Sequence, residues 1–283
     1  MAAIEPITGH YVHVGLGGTT FRTYFERNGS GTPLVCLHTA GADSLEWRHL
    51  LVDDDVTAGH EVIAFDMPWH GRSLPPSGWW EKEYLLSRDF YMRFIIAFCE
   101  ALELDRPILV GCSMGGYVML DIANEHPGHF GGLIAVNPRA YEPSWMALAK
   151  WSSHPEVNVQ TMIQPVVRSI SARTAPDENV REVEWIYMRC PPGVLRGDLY
   201  YAAVDHDARP FLKSIDARRE RLYAIGGDWD WSCYQEQTDE LADAIEGLSV
   251  TRIRDAGHFP MSENPEAFKA ALLPILQEIA SAG

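Results

Sequence analysis

A single serine stands among glycines in the stretch LVGCSMGGYV, residues 109–118. An apolar run typical of a buried strand ends just before Ser113, and a helical pattern begins just after it. Gly111 and Gly115 carry no Cβ atom, so they leave room for a turn sharp enough to hold the serine in strained backbone. The amide of Met114 would then lie at a helix N-terminus, where it can stabilise negative charge. The pattern predicts that Ser113 is a nucleophile; the alternative is a packing turn that contains a serine.

A serine hydroxyl needs a base to accept its proton and an acid to orient that base. His258 lies between strand and helix patterns in TRIRDAGHFPMSENPEAF, and Asp228 and Asp230 follow the apolar run RLYAIGG. Asp230 is the preferred acid because the aspartate nearer the strand more often caps the turn, and Asp228 remains the alternative. The chain order serine, aspartate, histidine predicts a triad of Ser113, Asp230 and His258, with each residue at the C-terminal end of a strand.

A second amide for the developing oxyanion is expected from the loop that follows the third strand. In PLVCLHTAGADSLEW, residues 38–41 leave an apolar strand and lead toward a helix start. The backbone N–H groups of Ala40 and Met114 are therefore the predicted oxyanion hole. We interpret His38, and His70 in DMPWHGRS, as residues that hold their loops by hydrogen bonds.

The elements that must position these residues follow a regular alternation. The first two strand patterns, YVHVGL and FRTYFER, alternate large and polar residues. Five later runs are short and apolar, as in strands covered on both faces; they are residues 33–38, 61–66, 107–112, 132–137 and 221–227. Helix-length segments separate them, the clearest at residues 81–104 and after Asn264. This order predicts a mostly parallel α/β sheet with helices on both faces.

Residues 140–210 break this alternation. They contain short amphipathic pieces, a Pro-Pro-Gly break at 191–193 and many large apolar side chains. We therefore expect a helical cap at 140–210, inserted into a core domain of residues 1–139 and 211–283. Five aromatic side chains are candidates to line a substrate pocket, although each could equally pack the cap onto the sheet: Trp145, Trp151, Trp185, Tyr187 and Trp229. Together they favour an apolar or aromatic substrate of small to medium size.

Composition excludes several other functions. The 283 residues include 23 basic and 39 acidic ones, a formal net charge of −16, which repels nucleic acid and anionic membranes. The five cysteines are scattered, so we expect free thiols in a reducing compartment and no metal site. No signal-peptide pattern opens the sequence and no apolar run reaches the roughly 18 residues of a membrane span. We expect a cytoplasmic protein with a small-molecule substrate, and a homodimer is one of the oligomeric states open to it.

Taken together, these segments resemble the α/β-hydrolase superfamily, in particular its capped serine hydrolases, which include esterases, lactonases and carbon–carbon bond hydrolases. The resemblance covers nearly the whole chain, and its pieces occur in the family's order: LHTAG, FDMPWHGRS, VGCSMGGYV, GGDWDW and DAGHFPMSENPEAF. It implies an eight-stranded sheet with an antiparallel second strand, a cap after the sixth strand, and a Ser-His-Asp triad that needs no cofactor. It further implies hydrolysis of a carboxylic ester or lactone through an acyl-enzyme.

The sequence departs from the family pattern at three places. Thr39 follows His38 where the family often has glycine, Trp69 adds an aromatic to the following turn, and Cys112 stands where carbon–carbon bond hydrolases often carry asparagine. A carbon–carbon bond hydrolase of a diketone-type ring-cleavage product remains an alternative. It would need a cation in the cap, for which there are five candidates: Arg168, Arg173, Arg181, Arg189 and Arg196. A catalytically silent receptor for a small ligand is a further alternative.

Overall fold

One eight-stranded sheet organises the computed structural model, which describes residues 4–281. The strands are β1 (Thr8–Leu16), β2 (Thr19–Gly29), β3 (Thr32–Leu37), β4 (His60–Phe65), β5 (Ile108–Cys112), β6 (Gly132–Val136), β7 (Leu222–Gly227) and β8 (Ser249–Ile253). Their order across the sheet is β1-β2-β4-β3-β5-β6-β7-β8. The outer limits of the predicted core domain, residues 1 and 283, lie outside the described residues.

The strand directions confirm the predicted fold class. β2 is antiparallel to both of its neighbours, whereas every pair from β4 to β8 is parallel. Every residue of β5, β6 and β7 is buried, as expected for apolar strands in the middle of a covered sheet. Because these strands are parallel, their C-terminal ends meet at one edge, and the loops that leave that edge can share one site.

Helices connect the strands and cover the sheet. They are α1 (Arg48–Leu51), α2 (Asp54–Thr57), α3 (Arg88–Ala101), α4 (Met114–Glu125), α5 (Trp145–Ser152), α6 (Val159–Ile170), α7 (Asp177–Met188), α8 (Val194–Tyr200), α9 (Ala217–Glu220), α10 (Gln235–Ala244), α11 (Pro260–Glu263) and α12 (Pro265–Ser281). The helix expected from residue 81 begins at Arg88, because the Ser87 side chain accepts a hydrogen bond from the Phe90 amide and caps it there. None of the helices in the described part of the chain is long and apolar enough to cross a membrane.

The segment between β6 and β7 contains α5 to α8 and a π-helical turn at Tyr201–Asp205. We call residues 140–210 the inserted segment. Within it, α5 packs against α8 and α6 packs against α7, while α7 also contacts α11 of the remaining chain. The segment is thus helical, as expected, and its division from the rest of the chain as a separate cap domain stays a prediction.

Candidate active site

Ser113 occupies a tight turn between β5 and α4. Its φ of 54° and ψ of −116° fall in a region that ordinary residues rarely adopt, so the surrounding structure must hold the strain. Glycine is required on both sides: a Cβ on Gly111 would lie 2.4 Å from the carbonyl oxygen of Gly115, and one on Gly115 would lie 2.7 Å from that of Leu37. The turn therefore exists only because these two neighbours lack side chains.

The acid and base predicted from the sequence are in direct contact. His258 Nδ1 lies 2.6 Å from Asp230 Oδ2, and both side chains are buried. Asp228 instead lies directly after β7, where its amide donates a hydrogen bond to the carbonyl of Ile253. Of the two aspartates, it is therefore Asp230, the one preferred from the sequence, that contacts the imidazole, and it does so through Nδ1.

Ser232 is a member of this cluster that the sequence reasoning missed. Its hydroxyl donates to Asp230 Oδ1 at 2.5 Å and lies 3.1 Å from His258 Nδ1. The Ser232 amide donates to the same Asp230 oxygen at 2.9 Å. These two bonds fix the rotation of the carboxylate. The spacing Asp-x-Ser after a strand, a pattern of local side chain-to-backbone turns, is the signal that could have revealed it.

The backbone of His258 is held as firmly as its ring. Its carbonyl oxygen accepts a hydrogen bond from Asn137 Nδ2 at 3.1 Å and from Cys112 Sγ at 3.0 Å. Asn137 also accepts from the Gly227 amide at 2.9 Å through its own side-chain oxygen. One buried asparagine thus ties the loops after β6, β7 and β8 together, and Cys112 has a structural bond in addition to filling space.

The charge state of His258 depends on its neighbours. Burial by itself lowers the pKa of an imidazole, but the negative charge and hydrogen bond of Asp230 act the other way, with smaller contributions from Glu263 and Glu46. The pKa of His258 is therefore raised above its ordinary value. An imidazole of raised pKa is a stronger base, and the adjacent carboxylate stabilises the imidazolium that forms when it accepts a proton.

The loop after β3 offers the second amide. Ala40 borders the same pocket as Ser113 and His258. No residue in the described range 4–281 accepts a hydrogen bond from the Ala40 or Met114 amides, so both donors are available to a ligand. His38 has the structural role expected of it. Burial and the neighbouring His70 lower the pKa of His38 to about 4, so its neutral ring accepts a hydrogen bond from the Met67 amide at 3.1 Å.

A buried glutamate that the sequence analysis did not single out supports this loop. Glu46 accepts hydrogen bonds from both the amide and the hydroxyl of Thr39, at 2.9 and 2.6 Å. The Thr39 hydroxyl also lies 2.6 Å from the Tyr187 hydroxyl. Burial raises the pKa of Glu46 to about 7, although the hydrogen bonds from Thr39 oppose the shift. Thr39 thus uses its side chain to connect the loop to α7.

A pocket opens above these groups. Ser113, His258 and Ala40 form its polar end. The rest of the lining is almost entirely apolar and comes from the inserted segment, chiefly α6, which contributes the side chains of Ile163, Val166, Val167 and Ile170. These residues recur at three- and four-residue steps, and that spacing is the sequence signal that could have identified the pocket wall.

The aromatic residues predicted to line the pocket divide into two groups. Trp145 and Tyr187 do line it. Trp151, Trp185 and Trp229 do not, and this prediction is corrected, because their side chains are 61%, 58% and 42% exposed on the outer surface. Trp151 and Trp185 lie on α5 and α7, and an amphipathic helix turns only one face inward, which in this segment is occupied mainly by aliphatic residues. Trp229 lies outside the inserted segment, in the turn that follows β7.

Comparisons with known proteins identify the family of this chain. Residues 34–271 match the model of the alpha/beta hydrolase family, and the chain belongs to that family. A 2-hydroxy-6-oxononadienedioate/2-hydroxy-6-oxononatrienedioate hydrolase of Paraburkholderia phymatum is 31% identical over 147 residues, which are 50% of this chain and 48% of that protein. The chain thus spans about half the length of the curated relatives it matches.

Two solved structures share the fold over nearly the whole chain. An esterase from Thermogutta terrifontis superposes with a TM-score of 0.82 at 19% identity, covering 96% of this chain and 99% of the esterase. The enol-lactonase of Burkholderia xenovorans LB400 superposes with a TM-score of 0.80 at 18% identity, covering 95% and 100%. At such identities the likeness concerns the fold.

Proposed function

We propose that this protein is a serine hydrolase that cleaves carboxylic esters or lactones of small to medium apolar substrates. The observation that carries the proposal is the convergence of three features on one pocket: the strained Ser113 turn, the Asp230–His258 pair at 2.6 Å, and an apolar wall. A strained serine and a buried ion pair each occur for structural reasons elsewhere. Their meeting at the polar end of an apolar pocket favours catalysis.

The geometry supports acyl transfer in two halves. Ser113 Oγ attacks the carbonyl carbon while His258 Nε2 takes the hydroxyl proton, and the Ala40 and Met114 amides stabilise the resulting oxyanion. The intermediate collapses when the C–O bond breaks and the departing alcohol receives the proton from His258. Water then gives a proton to His258 and attacks the acyl-enzyme. The bond between the acyl carbon and Ser113 Oγ breaks as His258 returns that proton to Oγ, which releases the carboxylic acid and restores Ser113.

The pocket wall favours an uncharged acyl group. Burying aliphatic chain against Ile163, Val166 and Ile170 is favourable by about 25 cal/mol per Å² of apolar surface. A carboxylate in the same place would lose its hydration with no cation to replace it, because none of the described residues that line the pocket is lysine or arginine. We therefore propose that residues 140–210 act as a cap that selects apolar acyl chains.

A second candidate function is carbon–carbon bond hydrolysis. The names of the curated relatives favour it, because they describe hydrolases of 2-hydroxy-6-oxononadienedioate-type compounds. A substrate of this kind, a dioate, carries two carboxylate groups. Such a substrate needs cations, yet four of the five cap arginines are engaged in ion pairs away from the pocket: Arg168 with Glu184 and Asp177, Arg181 with Asp177, Arg189 with Asp43 and Arg196 with Glu83. Arg173 is exposed on the surface. The pocket composition therefore favours the ester.

Initial rates on p-nitrophenyl acetate, butanoate, hexanoate and octanoate, for wild type and Ser113→Ala, test the proposal. We expect the wild type to prefer longer acyl chains over acetate, and the variant to lose about 10³-fold or more in kcat. Thermal unfolding of both proteins checks that the variant is folded. Ester hydrolysis that persists in Ser113→Ala would contradict the proposal.

The same preparations decide between the two candidates. A diketone-type dicarboxylate and an uncharged ester of similar length would be compared by kcat/KM. The ester proposal predicts the larger kcat/KM for the uncharged substrate. If the dicarboxylate were cleaved efficiently in a Ser113-dependent reaction while esters stayed intact, the assignment would change to carbon–carbon bond hydrolysis. If neither substrate were turned over, the result would support a ligand receptor.

A further inference from the structure

Three consecutive backbone amides pass through the loop after β3, and they have different partners. The Thr39 amide donates to Glu46 Oε2 at 2.9 Å, and the Gly41 amide donates to Asp198 Oδ2 at 2.7 Å. Ala40, between them, donates to none of the residues that the structure describes. Two buried carboxylates therefore bracket the one amide that borders the pocket.

Asp198 reaches this loop from the inserted segment. It lies in α8, and its side chain is completely buried. Besides the Gly41 amide, its carboxylate accepts hydrogen bonds from His70 Nε2 at 2.8 Å and from the Tyr84 hydroxyl at 2.8 Å. Both ring nitrogens of His70 face acceptors, since Nδ1 lies 3.0 Å from the Pro68 carbonyl. The contact is consequently a buried ion pair between the inserted segment and the sheet.

The backbone at Gly41 is fitted closely to α8. Its φ of 77° lies in the left-handed region, and a Cβ there would lie 2.9 Å from Leu195 Cδ1. Any movement of α8 that carried Asp198 away would break the hydrogen bond to the Gly41 amide. The preceding peptide, which carries the Ala40 N–H, would then lose its fixed orientation. The oxyanion loop is thus positioned by a residue 157 positions further along the chain.

We propose that Asp198 is a positioning residue of the oxyanion hole, which by holding Gly41 keeps the Ala40 amide directed into the pocket. This inference rests on the proposed function and adds to it. The inserted segment completes the active site as well as covering it. Substrates are hydrolysed only when α8 is docked, because the second oxyanion donor is in place only then.

Asp121 provides a matched control. It is a second fully buried carboxylate that joins the sheet domain to the inserted segment, through Tyr201 Oη at 2.7 Å and His206 Nδ1 at 3.0 Å. It also accepts from Arg88 Nε at 2.7 Å, so both aspartates have three partners. Asp121, however, makes no hydrogen bond to residues 38–41 in the described chain. Its replacement should cost stability without disturbing the oxyanion loop.

The experiment compares Asp198→Ala with Asp121→Ala in the full-length protein. We expect both to lower the melting temperature, but only Asp198→Ala to lower kcat, by about 10- to 100-fold with little change in KM, less than the loss of an oxyanion donor outright. Amide hydrogen exchange by NMR gives a readout that does not depend on activity. Exchange at Gly41 should accelerate in Asp198→Ala and stay slow in Asp121→Ala.

Several outcomes would overturn the inference. One is equal kcat values for the two variants; another is a Gly41 amide that already exchanges freely in the wild type. Should Asp198→Ala not fold, Asp198→Leu keeps the side-chain volume while removing the acceptor oxygens, and the same two readouts apply. A wild type without Ser113-dependent ester hydrolysis would instead remove the proposed function, and the exchange data would still decide whether Asp198 holds the loop.

Discussion

The floor and the roof of the pocket are built on different principles. The floor is formed by loops at the C-terminal ends of β5, β7 and β8, and its key side chains, Ser113, Asp230 and His258, are polar, almost fully buried and held by backbone strain or hydrogen bonds. The roof is helical, and α6 presents aliphatic side chains to the same space. Polar groups in the floor have single permitted positions, whereas methyl groups in the roof can be exchanged for others of similar volume.

This difference separates two properties of the protein. Hydrogen bonds weaken steeply when their distance and angle depart from a narrow range, so under the proposed function the floor determines which reaction occurs. Apolar contacts vary smoothly with size, so under the same proposal the roof determines which acyl groups are accepted. Asp198 is the exception, since it belongs to the roof but forms a buried ion pair with His70, as specific in its geometry as the polar contacts of the floor. The following predictions separate floor from roof.

The largest effect is expected in the floor, from Asp230→Asn. Loss of the carboxylate removes the partner that selects the His258 tautomer, and kcat should fall by about 10³- to 10⁴-fold, as in other triads. Asp228→Asn is the matched control at the same strand end, and it should retain kcat near that of the wild type. Equal losses in the two variants, measured as initial ester hydrolysis rates, would remove Asp230 from the mechanism.

A smaller effect is expected in the roof, from Val166→Phe. The larger ring occupies space in the pocket, so kcat/KM for octanoate esters should fall by about tenfold or more while acetate esters are hydrolysed as before. Trp185→Ala, which truncates an aromatic that is 58% exposed, should leave the chain-length preference unchanged. If the chain-length preference changed in Trp185→Ala but not in Val166→Phe, substrates would bind outside this pocket.

The smallest effect is a displacement of the pH profile. His258 must be neutral to accept the serine proton, and its pKa is raised above the ordinary 6.5 by Asp230 against the effect of burial. Hydrolysis should therefore decline as the pH falls, with a midpoint in kcat/KM above 6.5. In the residual activity of Asp230→Asn the midpoint should move to lower pH, because the charge that stabilised the imidazolium is gone. If the midpoint of kcat/KM were the same in Asp230→Asn as in the wild type, a group other than His258 would control the decline of activity at low pH.

The sequence predicted the floor because its residues follow short-range rules. Ser113 is flanked by the glycines that its turn requires, and the acid and base both follow strand patterns whose C-terminal ends must meet in a parallel sheet. The structure of the turn after β7 was needed to establish that Asp230, the preferred residue, and not Asp228 is the partner of His258. Asn137 stayed hidden because its contacts with Gly227 and His258 join residues 90 and 121 positions apart, which local patterns do not encode. Ser232 and Glu46 contact residues only two and seven positions away, and the Asp-x-Ser spacing was a local signal that the prediction did not use.

The roof was predicted less well for a definable reason. Their size makes the large aromatics of residues 140–210 candidates for the pocket lining, yet size does not tell which face of a helix a residue occupies. Trp151 and Trp185 point outward, while the aliphatic row through Ile163 and Val167 points inward. Helical periodicity was the better guide. The Asp198 contact with Gly41 joins residues 157 positions apart and has no local signature.

Covalent labelling tests the central claim most directly. The protein would be treated with a fluorophosphonate, which modifies activated serines, digested, and the adduct located by mass spectrometry. We predict one phosphonylated serine, Ser113, with labelling lost in Ser113→Ala and greatly slowed in Asp230→Asn, while Asp228→Asn reacts like the wild type. Labelling at another serine, or none in a folded wild-type protein, would contradict the assignment of Ser113 as the nucleophile.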